Sequence, residues 1–262
     1  MRYALFFDAH LGAPGWERSL PYLHRAVQEE RMRGAQIVWG GDTLDWYRDR
    51  DAEPPAGLIQ PGDWWLLGNH DPEPYMGLAS FHYLSLDGVF VCHGDAVDLG
   101  WAFTLLERLT RKRVRRESVF SLYRILSQGP AWAMGRLGAW FWRWLGHRSL
   151  PPDYGALLAF APLLPALVLS QPARFLPPPG ELTAGLGPLI THDPQLLVAR
   201  LEALYPEARR ARVLVMGHLH RPQRSEVGEK TLLVSPSWKW GMPWGYVVVE
   251  GGQAEIRPVF PP

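Results

Sequence analysis

The segment YALFFDAH, residues 3–10, begins with an apolar run and ends with a carboxylate and an imidazole. A short apolar run of this kind is typical of a buried strand, and we predict one over Tyr3–Phe7. Asp8 and His10 follow two residues apart, a spacing that on extended backbone directs both side chains to one side. This opening therefore predicts a strand that carries two potential metal ligands at its carboxyl end.

The same order, an apolar run and then a loop of Gly, Asp, Asn or His, recurs four more times. The predicted strands are Gln36–Trp39, Asp63–Leu67, Val89–Cys92 and Arg212–Met216. The loops after them are Gly40-Gly41-Asp42, Gly68-Asn69-His70-Asp71, His93-Gly94-Asp95 and Gly217-His218-Leu219-His220. Open sheets bind ligands beyond the carboxyl ends of their strands, so we expect these loops to converge.

Outside these strands and loops, the sequence predicts one helix near the start of the chain and two closing strands near its end. The helix spans Leu20–Arg33 and is capped by Gly34, since apolar residues recur along one face of it. The closing strands are Thr231–Val234 and Tyr246–Glu250, and a Gly251-Gly252 turn follows the second.

The loops contain only nitrogen and oxygen donors. Such a set suits Mn²⁺, Fe²⁺, Zn²⁺ or Co²⁺ and excludes copper(I) and iron–sulfur clusters. The candidates are too many for one mononuclear site but fit two ions that share a carboxylate, an arrangement that activates water for attack on a phosphoryl group. They are Asp8, His10, Asp42, Asn69, His93, His218 and His220.

Composition sets the class of protein. The chain has 262 residues, 47% of them apolar and 20% charged, which favours one large domain with a substantial core and excludes global disorder. Cys92 is its one cysteine, so a disulfide framework and a cysteine-only zinc site are excluded and a reducing compartment is expected. The run YALFF is too short for a signal segment. We therefore expect a cytoplasmic protein.

Residues 99–190 differ from the rest and predict an inserted cap. Residues 99–150 favour helices and hold ten Arg or Lys against two acids, while residues 151–190 hold nine prolines. Arg binds phosphate bidentately and Trp favours interfaces, so this cap suits a phosphorylated amphiphile or nucleotide and a peripheral contact with the inner face of a membrane. A solvated basic face, with the tryptophans packed on the core, is the alternative. The candidate substrate-binding residues are Arg111, Lys112, Arg113, Arg115 and Arg116.

Taken in order, the five loops resemble the motifs of the calcineurin-like metallophosphoesterase superfamily. The resemblance rests on Asp8-x-His10, Gly41-Asp42, Gly68-Asn69-His70-Asp71, His93 and Gly217-His218-x-His220. It covers both ends of the chain but not residues 99–190. It implies an α/β fold in which two mixed β-sheets pack as a sandwich flanked by helices, in a single domain over residues 1–262 with the cap inserted.

The resemblance also implies a role for each matched residue. One metal takes Asp8, His10, Asp42 and His220, and the other takes Asp42, Asn69, His93 and His218. His70 lies near the leaving group, with Asp71 as its orienting carboxylate; alternatively His70 only contacts the phosphate. Asp45 and Asp95 are expected in supporting or turn positions. The implied enzyme is a phosphoesterase or pyrophosphatase with two divalent ions, Mn²⁺ first, in which a metal-bridging hydroxide attacks in line.

Within that superfamily the chain is similar to UDP-2,3-diacylglucosamine pyrophosphatases. The insertion after His93, the segment Gly41-Asp42…Trp46-Tyr47 and the ending Gly217–Pro222 carry this likeness, whereas His70 stands where those enzymes typically have Arg. Alternatives are a phosphomonoesterase or phosphodiesterase acting on a nucleotide or nucleic acid, or a non-catalytic scaffold like the retromer subunit of the superfamily. Nucleic acid is disfavoured because the aromatics cluster apart from the basic run. The sequence leaves the oligomeric state open.

Overall fold

The computed structural model describes residues 1–45, 53–68, 70, 74–95, 97, 192–239, 242 and 244–260, so the predicted cap at 99–190 lies outside the described residues. The strands are β1 Arg2–Phe6, β2 Gln36–Trp39, β3 Trp64–Leu66, β4 Ala79–Phe81, β5 Tyr83–Leu86, β6 Val89–Cys92, β7 Val213–Met216, β8 Gln223–Val227, β9 Lys230–Val234, β10 Trp244–Glu250 and β11 Gln253–Val259. The α-helices are α1 Leu20–Met32, α2 Pro194–Leu204 and α3 Pro206–Arg210, and single 3₁₀ turns span Trp16–Arg18 and Tyr75–Gly77.

The strands form two mixed sheets. The first has the order β11-β10-β1-β2-β3-β4, with β1 to β4 parallel and β10 and β11 antiparallel. The second has the order β5-β6-β7-β9-β8, parallel at its centre and antiparallel at both edges. The predicted α/β class with two mixed sheets is therefore confirmed.

Alternation along β1 divides the core into two layers. Ala4 and Phe6 face α1, where they pack with Leu23, Ala26 and Val27. The intervening residues face the second sheet and belong to the layer between the two sheets. They are Tyr3 and Leu5 of β1 and Phe7, which lies just beyond its end. Because side chains on a strand alternate between faces, one short apolar run serves both layers.

A helix covers the outer face of each sheet. On the second sheet, the ring of Tyr205 at the end of α2 lies 5.1 Å from the ring of Phe90. On the first sheet, α1 buries Glu30 while exposing Met32, although its apolar pattern includes Met32. Burial alone would raise the pKa of Glu30, but hydrogen bonds from Arg2, Arg33 and the hydroxyl of Tyr246 hold it below its ordinary value. No helix in the described ranges is long and apolar enough to span a membrane.

Four strands were not predicted from the sequence: β4, β5, β8 and β11. β4 and β5 have three and four residues and are separated by His82 alone. β8 and β11 lie at sheet edges, and they carry alternating exposed residues instead of an apolar run. The predicted Gly251-Gly252 turn does join β10 to β11, with positive φ at both glycines.

Candidate metal centre

The loops after β1 and β2 remain paired beyond the ends of their strands. The backbone N–H of Asp8 donates to the carbonyl of Gly41 at 3.0 Å, and that of His10 donates to the carbonyl of Asp42 at 2.8 Å. Further along, the N–H of Asp45 donates to the carbonyl of Leu11 at 2.9 Å. This pairing brings the side chains of both loops to one edge of the first sheet.

The backbone of these loops is not extended, contrary to the expectation for Asp8 and His10. Of the seven non-glycine residues with positive φ in the described ranges, five are predicted metal ligands: Asp8, His10, Asp42, His218 and His220, with φ from 46° to 68°. A left-handed conformation costs such a residue about 1–2 kcal/mol, and such strain persists mainly at functional sites. The side chains therefore converge because of loop conformation and not because of strand alternation.

The first donor cluster consists of Asp8, His10 and His220. The Nε2 atom of His220 lies 3.2 Å from Oδ1 of Asp8 and 3.1 Å from Nε2 of His10. The other carboxylate oxygen of Asp8 accepts the backbone N–H of His218 at 2.9 Å. Burial lowers the pKa of His10 to about 4, so its imidazole is neutral and keeps a lone pair for a cation.

The second donor cluster consists of Asp42, His93 and His218. Nδ1 of His93 donates to the carbonyl of Gly40 at 3.1 Å, which leaves Nε2 facing Oδ1 of Asp42 at 3.3 Å. The rings of His93 and His218 meet edge to face, with centroids 5.3 Å apart. Burial alone would lower the pKa of His93, but the carboxylates of Asp42, Asp8 and Asp95 raise it to about 10. The charge of this region is therefore suited to a bound cation.

Both clusters have donor spacings that fit a divalent cation. Metal–ligand bonds of about 2.0–2.2 Å place neighbouring ligand atoms about 3.0–3.5 Å apart. The separations of 3.1, 3.2 and 3.3 Å fall in this range. In addition, His10 and His220 point Nε2 atoms at each other, and a cation would accept a lone pair from each. The described residues thus fit the metal that the sequence implies.

Asp42 belongs to the second cluster and also faces the first. Its Oδ1 faces His93 and accepts the backbone N–H of His70 at 2.8 Å. Its Oδ2 lies 4.0 Å from Nε2 of His10 and 3.8 Å from Nε2 of His70. Burial alone would raise the pKa of Asp42, but the imidazoles of His93 and His70 hold it well below its usual range. One ionised carboxylate therefore presents an oxygen to each cluster.

His70 has a carboxylate partner that was not assigned to it from the sequence. Its Nδ1 lies 2.9 Å from Oδ1 of Asp45, and both side chains are buried. Burial alone would raise the pKa of Asp45, but His70 and His10 lower it, so the carboxylate is ionised. Nδ1 of His70 is therefore the donor in this bond. The spacing Gly41-Asp42-x-x-Asp45 was the available signal, but only the fold brings Asp45 to His70.

The structure brings together six of the seven predicted metal ligands, and His70 lies beside them. Asn69 and the predicted orienting carboxylate Asp71 lie outside the described residues, as do the candidate substrate-binding residues of the cap. Asp95 is buried, and its carboxylate is close enough to His93 to help raise the pKa of that imidazole.

Gly41 leaves room for a ligand ring. It has a φ of +92°, and a Cβ there would lie 2.6 Å from the imidazole of His93. We expect Gly41→Ala to lower the metal affinity about 10–100-fold because the ring must shift. The control is Gly34→Ala, since Gly34 also has positive φ (+75°) but has no atom within 4 Å of the position that a Cβ would take. Equal metal affinity of the two variants, measured by equilibrium dialysis with metal analysis, would contradict this.

The chain has no detectable likeness to known families by sequence and only weak likeness to solved structures. No protein-family model matches the chain, and no curated protein matches it significantly. Among solved structures, a predicted phosphoesterase from Streptococcus pneumoniae TIGR4 has 12% identity and a TM-score of 0.38, over 98% of this chain and 97% of that one. An archaeal phosphodiesterase has 9% identity and a TM-score of 0.40, over 99% and 100%. Wild-type Vps29 from Entamoeba histolytica, complexed with zinc, has 11% identity and a TM-score of 0.38, over 99% and 98%. At these values the likenesses say nothing about activity.

Proposed function

We propose that this chain is a metal-dependent hydrolase of phosphate esters or diphosphates. One observation carries the proposal: the buried carboxylate of Asp42 presents one oxygen to each of two donor clusters, which contain Asp8, His10 and His220 on one side and His93 and His218 on the other. A shared carboxylate would hold two ions close together, as two-metal phosphoryl-transfer sites do at a separation of about 3.5–4 Å. We propose one divalent ion per cluster, Mn²⁺ first.

Bound divalent cations would polarise the phosphoryl oxygens and lower the pKa of water in the site. The chain's own residues supply the rest. His70 faces the centre with Nε2, which lies 3.8 Å from Oδ2 of Asp42, and can protonate the departing oxygen from that atom. Asp45 accepts the Nδ1 proton of His70, so it orients the ring and stabilises its protonated form.

For the substrate class, we propose a nucleotide-linked lipid such as UDP-2,3-diacylglucosamine. The support comes from the sequence: the basic and tryptophan-rich segments of residues 99–150 suit a diphosphate joined to an apolar tail, and the family resemblance points the same way. This proposal includes a peripheral contact with the membrane through the cap.

Removal of metal tests the hydrolase proposal. Chelation should abolish turnover, and Mn²⁺ should restore it, because the proposed nucleophile is water whose pKa the bound cations would lower. The assay panel runs from aryl phosphates through aryl phosphodiesters to UDP-linked lipids. Tight binding of metal without turnover of any member of the panel would favour the scaffold instead.

Charge reversal in the cap tests the substrate proposal. We expect Arg113→Glu combined with Arg116→Glu to raise KM for a UDP-linked lipid at least about tenfold, since each arginine would lose a charge-assisted contact with phosphate. The KM for a small aryl phosphate serves as the internal control and should change much less. An equal change for both substrates would assign these arginines to packing or to a general electrostatic effect.

A further inference from the structure

His10 has a second ring nitrogen that the two clusters do not use. Its Nε2 faces His220 in the first cluster, whereas Nδ1 is buried and has no hydrogen-bond partner in the described part of the chain. The other metal-facing histidine, His93, has its Nδ1 bonded to the carbonyl of Gly40. Buried polar atoms nearly always have a partner, so Nδ1 of His10 is a candidate to bind a group that the structure does not contain.

Asp45 lies between this nitrogen and His70. Its Oδ2 is 3.8 Å from Nδ1 of His10, and its Oδ1 is 2.9 Å from Nδ1 of His70. The two imidazole rings are perpendicular, with centroids 4.8 Å apart. The three residues are between 1% and 6% exposed. Two imidazoles and a carboxylate are thus gathered in one buried place on the side of His10 away from His220.

We propose that Nδ1 of His10, Asp45 and His70 form a further, weaker cation site that accepts Zn²⁺ when zinc is in excess. Two nitrogens and one carboxylate are a common zinc donor set, and they leave the fourth position open. The cation would displace two protons to solvent, one from between His70 and Asp45 and one from Nδ1 of His10, whose ring would then bridge this ion and the first cluster as an imidazolate. Because the existing hydrogen bond must be given up, this site fills after the first two clusters.

Occupancy of this site would have a regulatory consequence. A zinc ion on Nδ1 of His70 would replace the hydrogen bond by which Asp45 orients the ring and stabilises its protonated form, so His70 would be a poorer proton donor from Nε2 and excess zinc would inhibit the enzyme. This consequence rests on the proposed function. The binding site itself does not, since it depends only on the positions of three side chains.

Zinc stoichiometry of the full chain tests the site without reference to activity. Metal-stripped protein is dialysed against rising Zn²⁺, and bound metal is measured for the wild type, Asp45→Asn and Asp63→Asn. Asparagine at position 45 can still accept from Nδ1 of His70 but carries no charge. Asp63 is a buried carboxylate that is bound by Arg31 outside all three clusters, so its variant is the matched control. At high zinc we expect Asp45→Asn to bind about one equivalent of Zn²⁺ less than the other two proteins. The number of tightly bound ions, which belong to the first two clusters, should be unchanged.

Equal stoichiometry in all three proteins would overturn the site. Loss of the tightly bound ions from Asp45→Asn would also overturn it, because Asp45 would then support metal binding in the first cluster by holding His10 in place. If Asp45→Asn fails to fold, His70→Gln decides by the same criterion. If the wild type binds the extra equivalent of zinc but has no phosphoesterase activity, the site is supported and only the proposed function is refuted.

Discussion

Replacing Asp42 with alanine is expected to lower metal-dependent turnover at least about a thousandfold, because the change removes charge stabilisation from both donor clusters at once. Its Oδ1 lies 3.3 Å from Nε2 of His93, and its Oδ2 lies 4.0 Å from Nε2 of His10. Metal content should fall together with activity. The measurement is kcat/KM for an aryl phosphate, with metal analysis of the same preparation.

Two companion variants separate chemistry from folding. Asp42→Asn keeps an acceptor for the backbone N–H of His70 while removing the charge, so it should fold like the wild type and still lose activity. Asp63→Asn removes a buried carboxylate outside the clusters and should keep its metal. An Asp42→Ala protein that retains two tightly bound ions and full turnover would refute the proposed function.

Replacing His70 with glutamine is expected to slow turnover by about 10²–10⁴-fold while leaving the metal content nearly intact. The backbone N–H of His70 still donates to Asp42 in this variant, so the loop keeps its anchor. The loss should be largest for substrates with a poor leaving group, because these depend most on a proton donor. Comparison of kcat for a nitrophenyl and an alkyl phosphate measures this dependence.

Asp45→Asn provides the control for the role of the pair. It should lower kcat about 10–100-fold. A protein that carries both Asp45→Asn and His70→Gln should have a kcat little lower than that of His70→Gln alone, because the two residues act together. Loss of the tightly bound metal from His70→Gln would instead make His70 a ligand of the first two clusters. A kcat effect that does not depend on the leaving group would reduce His70 to a phosphate contact.

Strand positions were predictable wherever the apolar run was buried on both faces. β2 and β6 have the predicted bounds, and β1, β3 and β7 differ from theirs by one or two residues. Edge strands were not predictable in this way, because a strand such as β8 buries little of itself and reads Gln-Arg-Ser-Glu-Val. Its pairing with β9 depends on backbone hydrogen bonds to a segment that the sequence pattern does not identify.

The donor inventory was also predictable, whereas the partners within it were not. The strand-then-loop order placed Asp8, Asp42 and His93 at strand ends, and parallel pairing brings such ends together. Asp45 could equally have been a turn residue, since Asp is common in turns. Its bond to His70 depends on how the loop after β2 follows the loop after β1, which is a matter of long-range backbone pairing.

The sequence by itself determined which donor types the chain holds, in what order, and at which strand ends, because apolar runs and polar loops are local patterns. Only the tertiary structure decided that one carboxylate oxygen of Asp42 faces each cluster, that Asp45 orients His70, and that a ring nitrogen of His10 has no hydrogen-bond partner among the described residues. Those relations join residues that are distant in the chain, and the contact of Asp8 with His220 spans 212 positions. Atomic contacts over such separations are set by sheet packing and by left-handed loop backbone, neither of which a local pattern specifies.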